Sequence, residues 1–300
     1  MTRGELAVVS LRLLARLPLR VSQGIGAAIG WLMYLFPNEA RRVTRRNIAR
    51  CLPELSAGER RRLVRQSLIE AGRTATETAA IWLWPLDRVR PLVREVIGEE
   101  LLEEGLARGR GVIVLSPHLG NWEIIGLYLS ARASFTCMYR PPKLQEMDAL
   151  MLQARERGGA HLVPTDASGV RALIKALRQG RVIGILPDQD PGRDSGVFAP
   201  FFGHPALTMV LLPKLASRTG ATVLFTWAER LPRGEGFRLH LRPAPEGIAE
   251  ADLEVAAAAL NRGVEECVRA LPSQYQWGYK RFKSRPEGAP DFYARDGDDD

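Results

Sequence analysis

Cysteine and histidine are scarce in this chain of 300 residues: three cysteines, at 51, 137 and 267, and four histidines, at 118, 161, 204 and 240. Three thiols so far apart make neither a disulfide framework nor a zinc knuckle, which fits a reducing compartment. There is no His-Glu-x-x-His or Cys-x-x-Cys pattern, so a zinc hydrolase is not expected. A glycine-rich dinucleotide loop and a Walker-type loop are also missing, which argues against a nucleotide cofactor. We expect no metal and no cofactor. Lysine does not occur in the first 90 residues, yet the excess positive charge lies entirely there: sixteen arginines face seven carboxylates. The other 210 residues carry a net charge of −1, against +8 for the whole chain. Long apolar runs are lacking too. The longest near the start, 24–36, is 13 uncharged residues, or 16 if counted from Val21. A spanning helix wants about 20. No small-residue cleavage site follows the run and it begins too late for a secretory signal. No internal repeat is visible.

What is present is ordinary for a globular protein: 46% hydrophobic and 25% charged residues. The length allows one large α/β domain with a helical extension, or two small domains. Arg41, Arg42, Arg45, Arg46 and Arg50 recur at i, i+1, i+4 and i+5, along one face of a helix, and Arg60, Arg61, Arg62 and Arg65 follow. Such a face can be plain solvated surface. Nucleic acid is not expected, because neither interleaved aromatics nor a known nucleic-acid module accompanies it. An apolar helix beside a basic face suits an anionic membrane surface, and Trp31 and Tyr34 suit its interface. The preferred reading is a monotopic or single-anchor protein on the cytoplasmic leaflet, with anionic lipids as partners. Whether 21–36 spans or only lies in the bilayer stays open. We therefore divide the chain into a hydrophobic anchor (1–38), a basic helical part (39–107), an α/β core (108–293) and a disordered acidic tail (294–300).

Residues 56–84 read as a helix opened by a Ser56/Glu59 capping box, with Trp82 and Trp84 as core. Residues 99–107 read as another helix. Strands are expected at 111–115, 135–139, 161–163, 182–186, 222–227 and 237–241. Helices are expected at 122–130, 143–157, 168–178, 206–219 and 251–271. This alternation implies an α/β fold, a mainly parallel sheet flanked by helices, with room for antiparallel additions.

The stretch 116–123, SPHLGNWE, sits where the buried strand 111–115 turns into a helix, the end of an open α/β sheet where ligands bind. His118 and Glu123 would diverge by about 140° if both were helical. They can meet if His118 lies in the loop and Glu123 in the first turn, with Gly120 easing the bend and Asn121 as N-cap. The histidine would then be a general base and the glutamate its orienter. The free N–H groups at the helix start could hold an oxyanion. The bland alternative is a strand-end histidine and a dipole-favoured glutamate. Arg140, after the next strand, could hold a phosphate or oxyanion, or simply pair with a local carboxylate. Asp188 and Asp190, after a third strand, could bind hydroxyls, pair with Arg140 or, least expected, hold magnesium. The aromatic stretch 196–203 could line a channel for an alkyl chain, or be a packed loop.

Taken together, SPHLGNWE at 116–123, YRPPK at 139–143, LPDQDPG at 186–192, VFAPFFGHPALT at 197–208 and WGYKRFKSRPEG at 277–288 closely resemble the late acyltransferases of lipid A biosynthesis. The resemblance covers roughly residues 6–293 and implies a glycerolphosphate-acyltransferase-like fold. It implies an inner-membrane enzyme moving a fatty acyl chain from an acyl-carrier-protein thioester to a hydroxyl of a Kdo-bearing lipid A precursor. His118 and Glu123 would be the catalytic pair, with Asn121, Arg140, Asp188 and Asp190 as substrate-binding residues. Sister enzymes acylate glycerol phosphates or mannosylated phosphoinositides, so another glycolipid or lysophospholipid acceptor stays open, as does a non-catalytic membrane-binding protein. The match around Arg281 favours lipid A. No serine or cysteine matches a nucleophile motif, so no acyl-enzyme is expected.

Overall fold

Twenty helices and strands are ordered around one central sheet in the computed structural model, which describes residues 2–142 and 144–294. The expected acidic tail lies, from residue 295 on, outside the described residues. Four helices open the chain: α1 (Arg3–Leu14), α2 (Leu19–Leu35), α3 (Glu39–Cys51) and α4 (Ala57–Leu83), followed by the short α5 (Leu86–Val89). Then come β1 (Val93–Ile97), α6 (Glu99–Ala107), β2 (Val112–Leu115), α7 (Trp122–Arg132), β3 (Phe135–Tyr139), α8 (Asp148–Glu156), β4 (His161–Pro164), α9 (Ala167–Arg178) and β5 (Val182–Ile185). The chain closes with β6 (Gly196–Phe201), β7 (His204–Met209), α10 (Leu211–Thr219), β8 (Thr222–Arg230), β9 (Phe237–Pro243) and α11 (Leu253–Ala270).

The sheet has seven strands in the order β1-β9-β8-β2-β5-β3-β4, and every neighbouring pair is parallel except β8 with β9. β2 lies in the middle with all four residues buried, because helices cover both faces. One face packs Leu173 and Leu177 of α9, Leu212 of α10, and Leu260 and Val264 of α11. The other packs Leu102 of α6, Ile124 and Leu127 of α7, and Ala154 of α8. α4, opened by the Ser56/Glu59 capping box, reaches both layers: Leu63 and Leu68 join the first, Ala79 and Ile81 the second.

Three expectations change. The expected helix 206–219 starts only at Leu211, because 204–209 is strand β7. Its partner is β6, so 196–203 is no loop but half of an antiparallel hairpin with Phe201 paired to His204. The two turn residues, Phe202 and Gly203, have φ of 48° and 76°, the left-handed pair that a two-residue hairpin turn of this twist requires. Phe202 tolerates that conformation because its ring is wedged between Phe201 and Trp277 and its N–H donates to Glu265 Oε1 at 2.6 Å. α8 begins at Asp148 rather than 143, after Pro141 and Pro142. Strand β1 was not foreseen: VREVI carries two charges in five residues and is an edge strand.

At the N-terminus, no described helix is long and apolar enough to cross a membrane. The 17 residues of α2 make a rod of roughly 26 Å. It lies tightly on α4 through backbone: a Cβ at Gly26 would run into the Gly72 carbonyl, and one at Gly30 into the Leu68 carbonyl. Ser22 Oγ donates to the Thr76 carbonyl at 3.0 Å and Gln23 Nε2 to Glu77 at 2.8 Å. The stretch of α2 that lies on α4, Ser22 to Gly30, therefore buries small and polar residues, while Val21, Ile25, Ile29, Leu32 and Phe36 stand exposed along the outward stripe. That is the reverse of a helix on a water-soluble core.

Candidate active site

Because β2 and β5 are neighbours with Leu115 beside Ile185, the loops that leave them start side by side. His118 and Asp188 each come three residues beyond that pair, and their side chains meet. His118 Nδ1 lies 2.8 Å from Asp188 Oδ1, and the His118 backbone N–H donates to Asp188 Oδ2 at 3.0 Å. Only 3% of the Asp188 side chain is exposed. Burial alone would raise its pKa, but the adjacent imidazole and these hydrogen bonds outweigh it and hold the carboxyl below its usual range. An ionised carboxylate can only accept, so Nδ1 carries a proton and, in the neutral ring, Nε2 presents its lone pair. Nε2 sits 3.2 Å from Gln189 Nε2, and the Trp122 ring packs edge-on against the imidazole at 4.8 Å.

The expected His118–Glu123 contact is not formed. Trp122, one position earlier, occupies the place beside the ring, and the helical turn carries Glu123 away from it. Glu123 instead accepts from Arg155 Nη2 at 2.6 Å, from Arg155 Nε at 3.1 Å and from Trp82 Nε1 at 2.9 Å. Burial pushes its pKa up, but the Arg155 charge and hydrogen bonds prevail and leave it lowered. Asn121 is the N-cap, accepting from Ile124 N–H at 3.3 Å. It is 1% exposed, and its Nδ2 donates to the buried Glu77 at 2.8 Å.

Of the first-turn amides expected to be free for an oxyanion, that of Ile124 is capped by Asn121, and the two amides just ahead of the turn are engaged as well. Gly120 N–H donates to the Gln274 carbonyl at 3.1 Å and Asn121 N–H to the Ala228 carbonyl at 3.0 Å. Gly120, with φ of 64°, approaches Ala228 so closely that any Cβ would collide with its carbonyl.

Beneath the loops lies a cavity of about 310 Å³. Trp122 and Gln189, which touch the imidazole, both line it, as do Glu123, Arg140 and Asp190. Its far part is apolar, with Ile125, Leu129, Phe135 and Ala160 among its walls. Arg140 is exposed at the other end, and no ion pair among the described residues joins it to Asp188 or Asp190. Asp190 accepts from Gly192 N–H at 2.9 Å, and its Oδ2 is buried without a partner among the described residues. Ser116 Oγ, also on the cavity wall, is buried and equally unpartnered. Burial pushes the Cys137 thiol up to about 11, so it stays protonated near neutral pH. Of the two readings open for 196–203 the packed one is observed, since Phe201 and Phe202 sit in the core, while β7 reaches the cavity through Met209. Among the described residues no group of three or more His, Cys, Asp or Glu could hold a metal ion.

Sequence reasoning missed Arg155, Trp82, Gln189 and Ser116. Gln189 and Ser116 had a signal in their position inside strand-end motifs. Arg155 had none, lying 32 residues from its partner.

Replacing Glu123 by Gln leaves Arg155 as a largely buried, uncompensated charge, and should cost about 3 kcal/mol in denaturant unfolding. A carboxyl lowered by folding stabilises above its unfolded pKa of about 4.3 and stops doing so as pH falls through the folded value. Glu123→Gln should therefore remove that share of the acid destabilisation below about pH 4. Unchanged stability at neutral pH would contradict the pair's role.

Residues 4–284 match the model of a family described as bacterial lipid A biosynthesis acyltransferase. The chain is 32% identical over 289 residues to the lipid A biosynthesis lauroyltransferase of Escherichia coli K12, covering 96% of this chain and 94% of that protein. It is 31% identical over 284 residues to the palmitoleoyltransferase of the same organism, covering 94% and 92%. Against that organism's myristoyltransferase the figure is 26% over 291 residues, covering 97% and 90%. These matches run through both strand-end loops that meet at His118 and through the walls of the apolar cavity, so the chain belongs to the bacterial lipid A biosynthesis acyltransferase family and is an acyltransferase.

Proposed function

We propose that this enzyme moves a fatty acyl chain from an acyl-carrier-protein thioester to a hydroxyl of a Kdo-bearing lipid A precursor, working at the inner membrane with its site toward the cytoplasm. The observation that carries the chemistry is an imidazole whose Nδ1 is anchored by a buried carboxylate while Nε2 points among residues lining an apolar cavity. The lauroyl, palmitoleoyl and myristoyl transferases it resembles all handle long acyl chains by name.

In this reading His118 Nε2 takes the proton of the acceptor hydroxyl as its oxygen attacks the thioester carbonyl carbon. The C–S bond then breaks, the ester forms, and imidazolium returns the proton to the departing thiolate. Asp188, rather than Glu123, holds the tautomer and stabilises imidazolium. The developing oxyanion needs a donor, and the unpartnered Ser116 hydroxyl and the Arg140 guanidinium are the groups placed on the cavity wall for it. Asp190, with one free oxygen, would accept from a substrate hydroxyl. Glu123 braces α8 against α7 through Arg155, keeping the cavity open.

The acyl chain would lie along β3 from Arg140 to Phe135, a run of roughly 13–17 Å. Phe135 closes the far end, where its ring fills the space that a side chain at Gly184 would need. For the membrane, the exposed stripe of α2 supports a helix lying in the interface rather than crossing it.

Two measurements test this reading. Free-thiol release from purified acyl-carrier thioester in the presence of acceptor should fall by about a thousandfold in both His118→Ala and Asp188→Asn. Near-normal transfer by His118→Ala would end the proposal. At Gly126 a Cβ would meet only the Phe135 ring, at 3.7 Å, so larger side chains enter the cavity. Gly126→Leu should shift preference toward shorter acyl donors across a chain-length series while keeping the helix intact. An unaltered chain-length profile would show that the chain lies elsewhere.

A further inference from the structure

A second cavity, of about 350 Å³, opens between α3 and α4 away from the imidazole, lined by Arg41, Arg45, Arg60 and Arg61 together with Tyr34 and Val64. Four guanidiniums converging on one cleft need counter-charge, and the neighbouring carboxylates do not supply it. α2 has no acidic residue. Glu39 is paired with Lys280, Glu54 with Arg269, and Glu59 closes the Ser56 capping box. Glu70 and Glu77 are held by Arg230, and Glu70 by Arg73 as well. Among the described residues none of the four arginines has an ion pair, and the Nε of Arg41 is buried without a hydrogen-bond partner.

What surrounds the cleft indicates its occupant. Trp31 and Tyr34 stack at 5.7 Å near the end of α2, Arg65 lies over the Trp31 ring and Arg41 over the Tyr34 ring. The exposed stripe continues through Leu32 and Leu35 of the same helix to Phe36 just beyond it. Exposed apolar side chains, an aromatic pair and arginines brought together on one surface are the groups that suit the acyl chains, interface and phosphates of a lipid leaflet. A nucleic acid would have no use for the stripe, and an acidic protein helix no need of it.

We infer that the cleft formed by Arg41, Arg45, Arg60 and Arg61 binds the phosphate of an anionic phospholipid headgroup and sets the enzyme's depth and orientation on the membrane. The inference rests on the membrane reading above but is separable from it. The guanidiniums donate to phosphate oxygens, Arg41 Nε finding there the acceptor it lacks, while the α2 stripe enters the acyl region.

The test is co-sedimentation of the full chain with vesicles of phosphatidylcholine alone and of phosphatidylcholine mixed with phosphatidylglycerol. The double variant Arg60→Gln/Arg61→Gln should lose about tenfold or more in affinity for the mixed vesicles and little for the neutral ones. Arg108→Gln/Arg178→Gln, with the same change in net charge at exposed positions elsewhere, should bind like the parent. Leu32→Ser/Phe36→Ser should weaken binding to both vesicle types. Equal losses for the two arginine pairs would reduce the effect to net charge and overturn the site. Full binding of mixed vesicles by Arg60→Gln/Arg61→Gln, with binding lost in Leu32→Ser/Phe36→Ser, would overturn the site and leave the membrane reading standing. A parent that sediments with neither vesicle would overturn both. Inorganic phosphate raising the melting temperature as much as the mixed vesicles do would make this a free-anion site, and loss of acyl-carrier-protein binding alone in the arginine variant would make it a protein-docking surface. Either result contradicts the lipid assignment.

Discussion

An imidazole anchored by a carboxylate 70 positions further along the chain is the contact around which this molecule is assembled. Neither residue could be placed by its own segment. β2 and β5 must lie next to each other in the correct register, so that two loops of equal reach leave the sheet together. The sheet order supplies that adjacency, and the two apolar layers keep it rigid. Desolvation by itself would favour a neutral Asp188, and the imidazole with its backbone N–H leads the interactions that keep it charged. The two groups thus maintain each other: the carboxylate selects the imidazole's tautomer, and the imidazole keeps the carboxylate ionised.

Behind the loop, a second buried carboxylate connects the site to the outer helices. Glu77 accepts from Gln23 of α2, from Asn121 at the cap of α7 and from Arg230 of β8. Removing one member of such a cluster leaves the others charged and desolvated, so it fixes geometry more surely than it adds stability. Through it, a helix with its large apolar side chains turned outward is joined to the loop that bears His118. The glycines of α2 and α4 complete that arrangement by letting the two backbones touch. Small residues inward and large ones outward make sense where the surroundings are apolar.

Much of this was legible in the sequence. The VIVL run of β2 announced a strand buried on both faces, and the alternation after it announced a mainly parallel α/β sheet. His118, Asp188, Asp190 and Arg140 were all expected at one edge of the sheet, and three of them lie on or beside one cavity wall with Asp188 behind the imidazole. What could not be read was which strands are neighbours. Lacking that, local spacing offered Glu123 as partner, five residues away, when the true partner lay across the β2/β5 boundary. The hairpin at 196–209 was misjudged for a different reason. Phe202 takes a left-handed conformation because of tertiary contacts to Trp277 and Glu265, which no local propensity foretells. The basic face divides in the fold: Arg42 and Arg46 donate to the carbonyls of Tyr293 and Phe292, while Arg41 and Arg45 open onto the cleft with α4.

The central claim, that Asp188 and not Glu123 governs the imidazole, is tested most directly by nitrogen NMR of the ring of His118 at neutral pH. We predict that neutral His118 carries its proton on Nδ1 in the parent and in Glu123→Gln, and that Asp188→Asn abolishes this preference. A parent ring protonated on Nε2, or a tautomer that changes with Glu123 and ignores Asp188, would contradict the account.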